Sequence, residues 1–98
     1  MQGLEKAFAL AEYCQSKYEE SGTIVYLEIL PLGFSIRVVY RPKGQVFQML
    51  RVISGLEFDV LDLQGLKDRI DRMIREVHLK YVQVANLEKP INADTPAN

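Results

Sequence analysis

Residues 23–53 read TIVYLEILPLGFSIRVVYRPKGQVFQMLRVI. The segment is rich in Val, Ile, Phe and Tyr, the residues that favour β-strands. Two turns of the form X-Pro-X-Gly interrupt it, Leu30–Gly33 and Arg41–Gly44. In such turns proline presets φ and glycine supplies a positive φ. The segment predicts a meander of three strands joined by three-residue loops: Thr23–Leu30, Phe34–Arg41 and Gln45–Ile53.

An amphipathic helix is predicted on each side of this segment. Residues 4–21 carry apolar side chains at spacings of three and four: Leu4, Ala7, Phe8, Ala11, Cys14 and Tyr18. Asp62 is a suitable N-cap for a second helix from about Leu63 to Val84, whose apolar stripe is Leu66, Ile70, Met73, Val77, Tyr81 and Val84. Residues 54–62 are predicted to form a connector that is long enough to include a short extended segment. The fold class is therefore α+β, in the order α-β-β-β-α, with a three-stranded antiparallel meander and two helices packed on one face.

Bulk properties predict one domain and argue against several classes of protein. We expect a single α+β domain over residues 1–85 and a flexible C-terminal tail over residues 86–98, where the chain is polar and lacks periodicity. The net charge of −1 gives no bulk attraction to nucleic acid or to an anionic membrane. No stretch approaches the ~18–20 apolar residues of a membrane span. With a single cysteine, the chain is expected to be cytoplasmic.

The predicted loops imply a strand register that puts apolar side chains on both faces of the sheet. One face carries Ile24, Tyr26, Leu30, Phe34, Ile36, Val38, Tyr40, Val46, Leu50 and Val52. The same register points Glu28 into that apolar face, where a carboxylate without a partner is costly. A first hairpin slipped by one residue turns Glu28 outward, and we prefer this alternative.

The opposite face combines apolar side chains with arginines and is the predicted interface: Arg37, Val39, Arg41, Phe47, Met49, Arg51 and Ile53. When one face of a sheet is exposed to water, the residues on that face are mostly polar, and those on this face are not. Arginine beside aromatic residues and methionine is typical of interface cores. One helix on each side of the sheet would instead cover both faces within a single chain.

No catalytic, cofactor or metal motif is present, and we expect a non-enzymatic protein without cofactors. His78, the single histidine, lies beside the apolar stripe of the second helix and is interpreted as a packing residue. Cys14 lies on the stripe of the first helix, where a small apolar side chain is expected. Glu57, Asp59 and Asp62 are interpreted as a solvated connector and a helix cap, because a cation site needs more oxygen ligands.

The element order resembles that of the double-stranded-RNA-binding domain over roughly residues 4–84, in topology only. That family implies a lysine-rich start to the second helix. Here residues 62–68 read DLQGLKD and are net acidic, and Pro31–Gly33 lacks the histidine usual in the first loop. The family is not assigned on these residues.

The resulting functional expectation is an interaction module that forms a homodimer, or binds a protein partner, through the apolar and arginine-bearing sheet face. The alternative is a nucleic-acid-binding domain that uses Arg37, Arg41, Arg51 and Phe47.

Overall fold

The computed structural model describes residues 3–88, which form three α-helices, one sheet and a short 3₁₀ turn at Pro42–Gly44. The elements are α1 (Gly3–Ser21), β1 (Thr23–Leu30), β2 (Gly33–Tyr40), β3 (Phe47–Ser54), α2 (Gly55–Val60) and α3 (Leu63–Glu88). The strands pair antiparallel in the order β1-β2-β3, so the predicted α-β-β-β-α order and the meander are confirmed.

Two boundaries differ from the prediction. The connector contains a short helix, α2, because the Ser54 side chain accepts a hydrogen bond from the Glu57 N–H and caps its first turn. This turn carries Phe58 into the core, where its ring stacks on Phe34 with centroids 4.2 Å apart. Helix α3 continues to Glu88, so residues 86–88 of the predicted tail are helical. The rest of that tail, residues 89–98, lies outside the described residues.

All three helices pack on the same face of the sheet. Helix α1 packs on β1, whereas α3 lies over β2 and β3 and also contacts α1. The core between the helices and the sheet consists of apolar residues from every element except β1: Leu10, Cys14, Ile36, Val38, Ile53, Phe58, Leu66, Ile70, Met73, Ile74 and Val77. The arrangement with one helix on each face is therefore wrong, and the second face of the sheet carries no helix.

The strand register differs from the predicted one by one residue in both hairpins. Leu30 pairs with Gly33 across a two-residue loop, so Glu28 lies opposite Ser35 on the uncovered face. Tyr40 pairs with Phe47, which makes the second connection six residues long. Because side chains alternate along a strand, each slip turns the whole of β1 and β3 over relative to β2. The preference for an outward Glu28 is confirmed, and the three-residue loops are wrong.

Gly33 has a different role from the one predicted. It does not adopt a positive φ; in the second connection, Lys43 and Gly44 do. Instead, β3 passes so close to Gly33 that a Cβ built there would lie 2.2 Å from the carbonyl oxygen of Ile53. The Gly55 N–H donates to the Leu32 carbonyl at 2.8 Å and holds the hairpin tip against this junction.

Helix α1 buries a different stripe from the predicted one. Its buried residues are Lys6, Leu10, Cys14 and Lys17, whereas Leu4, Phe8 and Tyr18 are exposed. Polar contacts explain the rotation: the Tyr13 hydroxyl donates to the Asp71 carboxylate, and Lys17 forms an ion pair with the same group. Lys6 donates to the Phe58 carbonyl and lies over its ring. The predicted stripe of α3 is confirmed in Leu66, Ile70, Met73 and Val77.

No helix within residues 3–88 is long and apolar enough to cross a lipid bilayer.

Candidate functional site: the open sheet face

The uncovered face of the sheet, called here the open face, exposes large apolar side chains. The pairing of the strands places these residues on it: Ile24, Tyr26, Glu28 and Leu30 of β1; Gly33, Ser35, Arg37 and Val39 of β2; Gln48, Leu50, Val52 and Ser54 of β3. The exposed fraction is 40% for Tyr26, 54% for Leu50 and 61% for Val52. A solvated sheet face is expected to be polar at these positions, so the apolar residues here need another explanation.

Two opposite charges lie side by side on the open face. The Arg37 guanidinium stacks over the Tyr26 ring, 4.5 Å from its centroid. On the next cross-strand pair, the Ser35 hydroxyl donates to the Glu28 carboxylate at 3.4 Å. Within residues 4–87, neither Glu28 nor Arg37 forms an ion pair. The face therefore presents one cation and one anion that are available to a complementary surface.

The structure divides the predicted interface residues between different surfaces. Arg37 and Val39 lie on the open face, and Val39 is buried between its neighbours Ile24 and Gln48. The other strand residues of the set point toward the helices: Phe47, Met49, Arg51 and Ile53. Arg41 is exposed in the loop after β2. The predicted set is therefore not one surface, because the slip of β3 turned its residues to the covered side.

The residues missed by the sequence prediction are Tyr26, Leu50 and Val52. One signal for Tyr26 was present, since an outward Glu28 requires Tyr26 to face outward too. No comparable signal existed for β3, because apolar residues occupy both its odd-numbered and its even-numbered positions. The length of the second loop decides which side chains of β3 lie on the open face. The Pro-Lys-Gly turn does not reveal this length.

The residues named for nucleic-acid binding are also separated. Phe47 is half-buried and packs edge-on against Tyr81, with ring centroids 5.8 Å apart. Arg51 lines a cleft of about 200 Å³ between β3 and α3, together with Arg69 and Arg72. Arg37 lies on the opposite side of the sheet. No surface presents all four predicted residues together.

The acidic residues of the connector have structural partners. Glu57 forms an ion pair with Arg69 at 2.8 Å, and Asp62 accepts a hydrogen bond from the Gly65 N–H as the N-cap of α3. Within the part of the chain that the structure describes, no group of His, Cys, Asp and Glu side chains has the arrangement of a metal site.

Cys14 and His78 both occupy packed positions. Burial raises the pKa of the Cys14 thiol to about 11, so the reactive thiolate is disfavoured. The His78 ring stacks on Tyr40 with centroids 3.8 Å apart, and its Nε2 is 2.7 Å from the Thr23 hydroxyl. Burial lowers the pKa of His78. The interpretation of His78 as a packing residue agrees with this geometry.

His78 gives the fold a defined pH dependence. Its pKa in the folded chain is lower than its unfolded value of about 6.5, so the unfolded chain binds the proton more readily. The free energy of unfolding is therefore expected to have its highest value above about pH 6.5 and to decrease as the pH drops below about 6.5. Urea unfolding at about pH 7.5 and about pH 5.5 measures this loss. We expect a smaller loss in His78→Gln, because His78 is the single histidine of the chain. An equal loss in both proteins would contradict the assignment.

Compared with known protein families, curated proteins and solved structures, the chain has no significant match.

Proposed function

We propose that the protein is an interaction module that associates with a second copy of itself through the open face. The observation that carries this proposal is that all three helices cover one side of the sheet. This leaves Tyr26, Leu50 and Val52 exposed on the other side. Burial of such side chains stabilises an association by about 25 cal/mol for each Å² of apolar surface.

The charges of the open face favour a second copy as the partner. Under a two-fold axis each surface meets itself, so every contact occurs twice. An axis near the centre of the face brings Glu28 of one copy to Arg37 of the other. The face is then self-complementary, because it carries equal numbers of positive and negative groups.

The size of the open face sets the expected affinity of the association between two copies. Three strands of eight residues, about 4.8 Å apart and about 3.3 Å per residue, cover roughly 14 by 26 Å in projection. The projected area is roughly 360 Å², well below the about 800 Å² of surface that a stable interface buries per partner, so the association is expected to be weak. We therefore expect a dissociation constant in the micromolar range, which corresponds to roughly −8 kcal/mol.

Light scattering with single variants tests the face contact. Val52→Asp places a charge in the proposed interface, and we expect the number of chains per particle to fall by half at about 100 µM. Because Val52 is 61% exposed, the isolated chain should keep its fold and its circular dichroism spectrum. Leu79→Asp is the matched control, since Leu79 is 56% exposed on α3 and its substitution should leave the mass unchanged. A wild-type mass of 11.2 kDa at this concentration would refute self-association.

A charge swap tests the pairing of Glu28 with Arg37. Arg37→Glu and Glu28→Arg should each weaken the association, and the double variant should restore it. Salt-dependent retention of the wild type on heparin, lost in Arg37→Glu, would instead favour the nucleic-acid alternative.

A further inference from the structure

The outer edge of β3 is a free strand edge. Within residues 3–88, the strand order β1-β2-β3 places no strand beyond β3. The strand is eight residues long and contains neither proline nor lysine. An edge of this kind presents a row of unpaired N–H and C=O groups to any extended chain that approaches it. The side chains beside the edge therefore determine which chain can pair with β3.

The first hairpin shows which backbone groups of β3 point outward. Leu30 and Gly33 flank the two-residue loop and form the hydrogen-bonded pair that closes it, so the odd-numbered residues of β2 bond to β1 and the even-numbered ones to β3. The even-numbered residues of β2 pair with odd-numbered residues of β3. The outward N–H and C=O groups of β3 therefore belong to its even-numbered residues, among them Gln48, Leu50 and Val52. One contact agrees with this count, because the Arg51 guanidinium donates to the Leu50 carbonyl at 3.1 Å.

A cleft lined by three arginines lies beside this edge, on the helix side of the sheet. Its volume is about 200 Å³, with Arg51 of β3 on one side and Arg69, Arg72 and Glu76 of α3 on the other. The three α3 residues are three and four positions apart, so they share one side of the helix. Asp71, which faces α1, projects at least about 100° away from each of them. The cleft therefore opens toward the β3 edge, away from α1.

Two of the three arginines have no carboxylate partner among the described residues. Arg69 forms an ion pair with Glu57 at 2.8 Å. Arg51 donates to a backbone carbonyl of its own strand, and within residues 3–88 neither it nor Arg72 forms an ion pair. Glu76 is the acidic residue of the cleft lining. Counting Glu57 and Glu76 against the three arginines, the cleft keeps one net positive charge.

The positions of these residues along α3 separate Glu76 from the two unpaired arginines. Helix α3 begins shortly after β3 ends and runs back along it. Tyr81 packs edge-on against Phe47 at the start of β3. Arg72 precedes Tyr81 by about 14 Å of helix, which equals about four strand residues and brings it beside Arg51. Glu76 lies about two strand residues away from them. The middle of the edge is therefore marked by Arg51 and Arg72 together.

We propose that an extended acidic segment of a partner protein pairs antiparallel with β3 as a fourth strand, and that its carboxylate binds Arg51 and Arg72. The partner residue opposite Arg51 lies on the helix side of the sheet, within reach of both guanidinium groups. Its two neighbours lie opposite Leu50 and Val52 and project on the open face, beside exposed apolar side chains. The edge therefore selects the pattern apolar–acidic–apolar. Backbone hydrogen bonds supply affinity, and the alternating side chains supply specificity.

The same arginines disfavour a second copy of this chain at the β3 edge. A two-fold axis at the middle of the edge would bring Arg51 against Arg51 of the copy, and like charges directly opposite each other destabilise a sheet. Inward-pointing charges of this kind keep natural sheet edges from pairing with themselves. An acidic strand meets the opposite situation, because it neutralises the net positive charge of the cleft. The contact goes beyond the open-face association and can be separated from it, since Arg51 and Arg72 do not lie on the open face.

Nuclear magnetic resonance titration with two synthetic peptides tests the proposal. The probe GSTVEVTSG carries one glutamate between two valines, and the control GSTVKVTSG carries lysine in its place. The glutamate peptide should shift the backbone amide signals of Gln48, Leu50 and Val52, and it should bind at least about tenfold more tightly than the lysine peptide. Equal affinities for the two peptides would overturn the proposal. So would binding that leaves these three amide signals unchanged, or the absence of any shift at about 2 mM glutamate peptide.

Paired arginine variants separate the cleft from the overall charge of the chain. Arg51→Gln with Arg72→Gln changes two exposed residues, so the chain should fold, and the dissociation constant for the glutamate peptide should rise at least about tenfold. Arg41→Gln with Arg75→Gln is the matched control, because it removes the same charge from exposed positions away from the cleft and should change the constant less than about twofold. Equal losses in the two double variants would overturn the proposal. The mass by light scattering should be unchanged in both, so failure of the edge contact and failure of the open-face association are distinguishable.

Discussion

Gly33→Ala is expected to lower the free energy of unfolding by about 3 kcal/mol or more. A methyl group at this position would lie 2.2 Å from the Ile53 carbonyl oxygen, 3.0 Å from the Ser54 Cα and 3.1 Å from the Gly55 nitrogen. All three atoms belong to the backbone, so no side chain can rotate away. The strands must separate where β2 pairs with both neighbours. Urea unfolding followed by circular dichroism measures the loss.

Gly55→Ala is the matched control for this prediction. Gly55 lies at the same junction, but a Cβ there would be 3.5 Å from its nearest neighbour, the Leu32 carbonyl oxygen, which is an ordinary contact. We expect a change within about 0.5 kcal/mol. Equal losses at the two glycines would show that the close approach of β3 does not determine the cost.

Asp71→Ala is expected to lower the free energy of unfolding by about 3 kcal/mol. The Tyr13 hydroxyl donates its single proton to the carboxylate, whose two oxygens lie 2.6 and 2.7 Å from it, and the carboxylate lies 3.1 Å from the Lys17 ammonium group. The Lys17 side chain is 8% exposed, so removing Asp71 leaves a buried cation with Glu20 as its remaining ion-pair partner. Burial and the hydrogen bond to Asp71 raise the pKa of Tyr13, which keeps the hydroxyl group protonated as the donor.

Asp68→Ala provides the comparison on the same helix. Asp68 is exposed, and the interaction it loses is a surface hydrogen bond from the Gln64 amide. Its removal should cost no more than about 0.5 kcal/mol in the same urea titration. If both variants lost the same stability, the contact between α1 and α3 would not depend on Asp71.

The rotation of α1 follows from this polar contact with α3. Apolar spacing alone predicts that Leu4, Phe8 and Tyr18 are buried. Asp71 holds Tyr13 and Lys17 against α3 and turns those three residues outward. The exposed apolar stripe of α1 is therefore a consequence of one ion pair between a buried Lys17 and a partly exposed Asp71. Its apolar residues are the ones the sequence alone would assign to the core.

Local patterns were sufficient to predict α1, the three strands and α3 in their order, but not the short helix α2. Apolar residues spaced three and four apart predicted α1 and α3, and the β-rich segment between them predicted three strands, because these signals arise within a few consecutive residues. The buried stripe of α3 could also be predicted from local spacing. Its polar and apolar sides are unambiguous, and Leu66, Ile70 and Val77 are fully buried.

The surface proposed to bind a partner was decided only by the tertiary structure. A strand with apolar residues at both odd and even positions can turn either set toward the core. Its orientation therefore depends on loop length and on contacts with distant residues. The slip of β3 moved Leu50 and Val52 to the open face, and Asp71, far from α1 in sequence, selected the buried stripe of that helix. Periodicity reports which side chains are apolar, whereas long-range packing determines which of them remain exposed.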